Sequence, residues 1–183
     1  MFTAQFTKIA IIVMGALYLQ HALQMSALGA GFALVAAVAP EPFVAVPIGR
    51  LADRFGARKP ALVGLALTVA ALLWIGLAAA WGSYALLLPA RALWGVAQPS
   101  LFVPPMRAVM NAVPVEKQGQ AGGIVLTAQL LGGTIGMAIL GTLLATTDSY
   151  RVVFLATAVL TAAILAIGWL AIERTRPAAL AAP

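Results

Sequence analysis

The sequence predicts an all-α integral membrane protein with six transmembrane helices. Of its 183 residues, 63% are hydrophobic and only 9% are charged, whereas a soluble globular domain carries roughly 25% charged residues. Six apolar runs each approach the roughly 20 residues that a spanning helix needs. These runs do not alternate apolar and polar residues as the strands of a transmembrane barrel do, so helices are expected.

Short polar gaps separate the runs, so residues 1–183 are interpreted as one six-helix transmembrane domain. Residues 49–60 and 104–120 are predicted to be cytoplasmic loops, and residues 173–183 a cytoplasmic tail. The first run lacks a small-residue cleavage site, so we expect it to be a retained helix rather than a signal peptide. The predicted spans are Thr7–Leu23, Leu28–Ile48, Ala61–Trp81, Tyr84–Val103, Gly122–Thr146 and Val152–Ile172.

The basic residues predict the orientation. With a cytoplasmic N-terminus, nine Lys and Arg residues fall on the inner side, Arg151 falls on the outer side and Arg91 lies within a span. Cytoplasmic loops carry an excess of Lys and Arg, so we expect a bacterial cytoplasmic membrane protein with both termini inside. The nine inner residues are Lys8, Arg50, Arg54, Arg58, Lys59, Arg107, Lys117, Arg174 and Arg176.

Composition argues against several other classes of protein. The chain has no cysteine, so it offers no disulfide and no cysteine metal site. Its net charge of +6 lies in the polar gaps rather than in a stripe of basic and aromatic residues, so no nucleic-acid partner is expected. One histidine and five acids form no nucleophile–base pattern or metal-ligand cluster, so no enzyme, cofactor or metal is predicted.

The densest charge cluster is the stretch "GRLADRFGARKP", Gly49–Pro60, between the second and third runs. Its spacing is Gly, three residues, Asp, a basic residue, one residue, Gly, one residue and two basic residues. This pattern resembles the loop signature of the major facilitator superfamily, with no departure. An ordinary positively charged cytoplasmic loop is the alternative interpretation. The matching residues are Gly49, Asp53, Arg54, Gly56, Arg58 and Lys59.

Two further stretches carry the same resemblance. "RALWGVAQP" is similar to the Arg-x-x-x-Gly signature of the fourth helix, through Arg91 and Gly95. "GQAGGIVLTAQLLGGTIGMAILGTLLA" resembles the glycine-rich fifth helix of a six-helix half. Together with "YLQHALQMSALGAGFAL", it resembles most the C-terminal half of fourteen-helix drug:proton antiporters. Met137 follows Gly136 where the antiporter signature has proline, but that signature belongs to N-terminal halves.

The resemblance implies proton-coupled efflux of small lipophilic or cationic compounds. It also implies that Asp53 and nearby arginines latch the cytoplasmic side while the transporter faces outward. A carboxylate can bind an arginine or a helix N-terminus, and a contact present in only one state biases the equilibrium by about 1–3 kcal/mol. The alternative function is a non-transporting membrane subunit, or a remnant half, that stabilises or regulates a partner transporter.

Three ionisable residues are candidates for proton coupling, because such groups within a span are costly and indicate function by default. Glu41 lies among three prolines, seven residues before Ile48 and so about 10 Å from the predicted inner end of its helix. Burial disfavours the charged form of a carboxyl group, so Glu41 could load and release a proton. Arg91 lies about 10 Å from the outer side, and His21 lies near the outer end of the first helix. Structural or solvated roles are the alternatives for all three.

Uncharged residues supply the remaining candidates. Gln20 and Gln24 are four residues apart and are expected to share a helix face that lines a cavity. Gln98 and Gln129 are expected to line the cavity from their own helices. The glycines of the fifth run are expected to allow close helix packing in lipid. These glycines are Gly122, Gly132, Gly133 and Gly136.

Family members usually contain two six-helix halves with the binding site between them, and this sequence supplies one half. Three explanations are open: the chain forms a homodimer, it forms a heterodimer with another half, or it is a fragment or remnant of a longer protein. The one-sided charge distribution favours two subunits that point the same way, so we expect a parallel homodimer around a small-molecule substrate.

Overall fold

The computed structural model describes residues 1–174, and their side chains through residue 170 except Ala36. Within these residues there are six helices long and apolar enough to cross a membrane, and there is no strand. The predicted all-α membrane fold is therefore confirmed. The helices are α1 (Phe2–Ala22), α2 (Ala27–Phe55), α3 (Arg58–Trp81), α4 (Tyr84–Asn111), α5 (Gln118–Thr147) and α6 (Tyr150–Arg174).

The helices run further than hydropathy predicts. α2 continues to Phe55 and α3 begins at Arg58, so most of the predicted 49–60 loop is helical and only Gly56 and Ala57 lie between the helices. α4 continues to Asn111, well into the predicted 104–120 loop, and a 3₁₀ turn at Val115–Lys117 precedes α5. Hydropathy marks where a chain becomes polar, whereas helical hydrogen bonds continue past that point. α6 reaches Arg174, and the rest of the predicted tail lies outside the described residues.

Two helices are irregular near the middle of the bundle. α1 contains π-helical turns at Ala10–Met14 and Tyr18–Ala22. α2 consists of two helical segments, Ala27–Val38 and Pro40–Phe55, that meet at Ala39. Proline lacks a backbone N–H and clashes with the preceding turn, which explains the interruption at this point. The interruption places Glu41 in the first turn of the second segment.

Glycines mark the closest helix contacts. A Cβ atom on Gly95 of α4 would overlap the Ala37 carbonyl oxygen of α2, and one on Gly132 of α5 would overlap the Phe2 carbonyl oxygen of α1. Helices associate in lipid largely through van der Waals packing, which small residues improve by letting backbones approach. α3 is packed between α4 and α6. The core that these contacts enclose includes Ile11, Met14, Leu72, Trp94 and Phe154.

The helices differ greatly in how much surface they leave uncovered. α4 is the most buried of the six, whereas only 12% of the most apolar part of α2 is buried. Phe32 and Phe43 of α2 are 71% and 80% exposed, and Ile124 of α5 is 72% exposed. The described residues therefore leave one long apolar face on α2 and another on α5 without a protein neighbour.

The contact at Gly95 predicts a large effect of a single methyl group. Gly95→Ala should destabilise the bundle, because overpacking costs about 1–3 kcal/mol. The new Cβ atom would meet the carbonyl oxygen and carbon of Ala37, which belong to rigid helix backbone. The control is Gly123→Ala in α5, where an added Cβ meets no atom within 4 Å. There, helix propensity alone should stabilise by about 1 kcal/mol. Thermal unfolding in detergent measures both, and equal midpoints for the two variants would contradict the close α2–α4 contact.

Candidate functional site

A cavity of about 480 Å³ opens between α1, α2, α4 and α5. Polar side chains converge on it from all four helices, and the rest of its wall is formed by prolines, alanines, Phe102 and Val103. Cavities of this size, mostly apolar with a few polar groups, are typical of small-molecule sites. The polar lining residues are Gln5, Lys8, Glu41, Gln98 and Gln129.

Glu41 is the central acid of this cavity. It lies midway along the 29-residue α2, because the helix continues past Ile48 to Phe55. Its Oε2 atom is 3.8 Å from the Lys8 Nζ atom of α1. Its other carboxylate oxygen, Oε1, is buried and has no hydrogen-bond partner among the described residues. One carboxylate oxygen is therefore paired, and the other is buried without a group that would stabilise its charge.

Lys8 was missed by the sequence analysis, which treated it only as a cytoplasmic positive charge. α1 begins at Phe2, so Lys8 lies within the helix and its ammonium group reaches the carboxylate of α2. Thr3, Gln5 and Thr7 make the start of the chain partly polar, so hydropathy alone gave no clear signal that the helix extends back to Phe2. A lysine within a membrane helix is commonly paired with another charged group.

Two glutamines of the predicted set lie in the cavity wall. The Gln98 side-chain amide of α4 donates a hydrogen bond from Nε2 to the Ala4 carbonyl oxygen at 3.2 Å, which fixes α4 against α1. Its Oε1 atom is buried without a partner within the described part of the chain. Gln129 of α5 lines the same cavity. The walls of the site thus contain two buried acceptor oxygens, Glu41 Oε1 and Gln98 Oε1, that have no hydrogen-bond partner among the described residues.

Arg91 lies outside this cavity. Its side chain is only 1% exposed, in a part of the core that also holds Tyr18 and Trp94. A Cβ atom on Gly15 of α1 would lie 2.6 Å from the Arg91 Nη2 atom, so the absence of a side chain at Gly15 makes room for the guanidinium group. Its Nε and Nη1 atoms have no partner in residues 1–174. Glu41 pairs with Lys8 rather than with this arginine.

The predicted outer cluster is arranged differently from the sequence expectation. α1 ends at Ala22, and Gln24 follows it with a positive φ of 53°, so Gln20 and Gln24 do not share a helix face. The Gln24 amide donates instead to the His21 carbonyl oxygen at 2.6 Å. His21 Nδ1 lies 3.3 Å from the Tyr150 hydroxyl oxygen and is exposed. None of the three predicted residues lines the cavity.

The signature segment is organised around Arg107, a residue that the sequence analysis placed in a loop. Arg107 Nη1 of α4 donates to Asp53 Oδ1 at 2.6 Å and to the Gly49 carbonyl oxygen at 3.1 Å. A Cβ atom on Gly49 would lie 3.1 Å from Arg107 Nη2, so glycine admits the guanidinium group. Gly56 has a φ of +78° and ends α2. The described contact of Asp53 therefore joins α2 to α4 within one bundle.

Other signature and glycine positions surround these contacts. Arg54 Cζ lies 5.8 Å and Lys59 Nζ lies 5.7 Å from the centre of the Phe55 ring. Arg58 begins α3. Gly133 and Gly136 of α5 face Gln5 and Phe6 of α1, in line with Gly132. Gly122 faces the Met110 side chain of α4. The glycines thus lie where α5 meets its neighbours rather than around a ligand.

Comparison with known families now identifies the class of protein. The family model of the Major Facilitator Superfamily matches residues 1–182. The chain belongs to this family of membrane transporters, which are not enzymes. It is therefore an integral, multi-pass membrane protein, and the predicted resemblance is confirmed.

Individual relatives narrow the comparison. The chain is 38% identical to the multidrug resistance protein Stp of Mycobacterium tuberculosis over 98 residues, which are 54% of this chain and 18% of Stp. It is 33% identical to the methyl viologen resistance protein SmvA of Salmonella typhimurium over 151 residues, which are 78% of this chain and 29% of SmvA. The chain thus matches less than a third of the length of these relatives.

Proposed function

We propose that the chain forms half of a proton-coupled exporter of small lipophilic or cationic compounds. The observation that carries this proposal is the half-paired carboxylate of Glu41, which faces a mostly apolar cavity at mid-helix. Intramembrane carboxylates are the groups on which proton relays in transporters depend. The names of both relatives, which refer to resistance to drugs and to methyl viologen, support the substrate class.

The pair of Glu41 and Lys8 gives the proposal a mechanism. At 3.8 Å the two charged atoms are near the limit of an ion pair, so the contact can exchange with other cations. A cationic substrate would take the place of Lys8 beside the charged carboxylate. Protonation of the carboxylate would then remove the attraction and release the substrate, while the apolar wall of the cavity would hold its hydrocarbon part.

Arg91 and His21 take separate positions in this scheme. Arg91 is buried between α1 and α4, where two unpaired N–H groups could bind water and connect polar groups along the bundle. His21 is exposed beside Tyr150 at the far end of α1 and could exchange protons with water there. Gln98 and Gln129 would contact the substrate.

The first prediction of this mechanism concerns proton-driven flux. Liposomes that contain the protein in inverted orientation should take up methyl viologen under a pH gradient. Glu41→Gln should reduce this uptake to the level of empty liposomes, because the amide cannot take up a proton. The control is Glu116→Gln, since Glu116 is exposed in the 3₁₀ turn before α5. Full flux in Glu41→Gln would exclude proton carriage by this residue. No flux in the wild type, with several cations and lipophilic compounds, would favour the non-transporting subunit.

We also propose that Asp53 belongs to a latch that closes this end of the bundle while the transporter faces outward. Its contact with Arg107 holds the carboxylate in place within one bundle, so the latch itself would be made to the second half. Asp53→Asn should leave membrane insertion unchanged and slow turnover at least about fivefold, since a state-dependent contact of this kind contributes about 1–3 kcal/mol. Asp148→Asn is the control, because Asp148 is an exposed acid that directly follows the last residue of α5. Wild-type turnover in Asp53→Asn, in the same liposome assay, would exclude the latch.

The exposed faces of α2 and α5 support the pairing of two bundles. The one-sided distribution of basic residues supports a parallel orientation with both termini in the cytoplasm. Large apolar side chains on these faces would meet a second six-helix half across the cavity. We expect native mass spectrometry of the chain in nanodiscs to find two copies per particle. A stable monomer would exclude the homodimer, and a copurifying second membrane protein would favour a heterodimer.

A further inference from the structure

We propose that a groove on the outer surface of the bundle, between α3 and α6, binds an anionic phospholipid whose phosphate meets Lys59. The groove is distinct from the central cavity and has a volume of about 530 Å³. The proposal does not depend on transport. The residues that carry it are Leu62, Val63, Ala66, Ala162, Ala166 and Trp169.

The lining favours a hydrocarbon chain. The alanines leave space between the two helices, and Val63 and Trp169, each 58% exposed, border that space. These side chains are all apolar except for the single indole N–H group of Trp169. In a bilayer the molecule that meets an outward-facing apolar groove is a lipid, and a groove that surrounds an acyl chain offers it more van der Waals contacts than a flat surface.

Lys59 does not line the groove, but its position one turn before the groove on α3 favours an anionic headgroup. Lys59 precedes Leu62 by three residues and Val63 by four, so the three share one face of α3. Lys59 Nζ lies 5.7 Å from the centre of the Phe55 ring, and it pairs with no carboxylate in the part of the chain whose side chains are described. Anionic headgroups are attracted to basic residues at this level of the membrane.

The position of Trp169 agrees with this orientation. A Cβ atom on Gly168 would lie 3.5 Å from Leu62 Cδ2, so the last turns of α6 lie beside the first turns of α3. Trp169 is therefore at the same end of the groove as Lys59. Tryptophan is enriched at the level of the lipid headgroups, which is where the phosphate would lie.

A second surface groove in the same protein provides a comparison. It has a volume of about 590 Å³ and is lined by Trp74, Trp81 and Leu86 with other apolar residues of α3 and α4. No basic residue lines either groove, but Lys59 lies within four residues of Leu62 and Val63, whereas no basic residue lies within four residues of any lining residue of this second groove. It can hold an acyl chain but offers no charge to a headgroup. Preference for an anionic lipid is therefore expected to depend on the groove near Lys59.

The experiment is native mass spectrometry of the 183-residue chain released from nanodiscs with equal amounts of phosphatidylglycerol and phosphatidylcholine. We expect the wild type to retain phosphatidylglycerol preferentially. Lys59→Gln should weaken that retention about fivefold, because a basic residue near the membrane surface contributes about 1 kcal/mol, and should leave phosphatidylcholine unchanged. Lys59→Arg should restore the preference. Ala166→Phe should reduce retention of both lipids by filling the groove.

Matched controls separate this site from general lipid adhesion. Lys117→Gln removes an exposed lysine in the 3₁₀ turn before α5, and Ala163→Phe adds the same ring to an exposed position of α6 outside the groove. Both should behave as the wild type. The proposal is wrong if the wild type retains both lipids equally, if Lys117→Gln matches Lys59→Gln, or if Ala163→Phe matches Ala166→Phe. Lys59 is exposed, so its variants test the headgroup contact even if Ala166→Phe fails to fold.

Discussion

The close approach of α2 to α4 is the contact on which the candidate site depends. Gly95 lets the backbone of α4 reach the Ala37 carbonyl oxygen, just before the interruption at Ala39. In lipid there is little hydrophobic drive to bring helices together, so this separation is set by how closely the backbones fit. Because Pro40 begins the next helical segment at this point, Glu41 is held beside α1 and α4 rather than facing lipid.

Charged side chains occupy three kinds of environment in this bundle. Glu41 and Lys8 share a partly exposed cavity, where an ion pair can exchange with ligands. Arg107 and Asp53 pair at 2.6 Å at the end of α2, where both side chains are about half exposed. Arg91 is buried, and its Nε and Nη1 atoms have no hydrogen-bond partner among the described residues.

The apolar surface is divided in a comparable way. The faces of α2 and α5 border the open side of the cavity and are suited to a second bundle. The groove between α3 and α6 is lined by other residues, and Lys59 lies one turn before it on α3. In the proposed scheme, this chain therefore has separate surfaces for a second bundle and for a lipid.

The sequence by itself determined the six spans and the family, and it made Glu41 and the signature segment candidates, because these follow from composition and from spacing along one chain. Only the tertiary structure decided which residues meet: Lys8 with Glu41, Arg107 with Asp53, and Gly15 with Arg91. These partners are between 33 and 76 positions apart, as the residue numbers show. Hydropathy does not record which helix faces which, so contacts set by backbone packing between helices could not be read from the sequence.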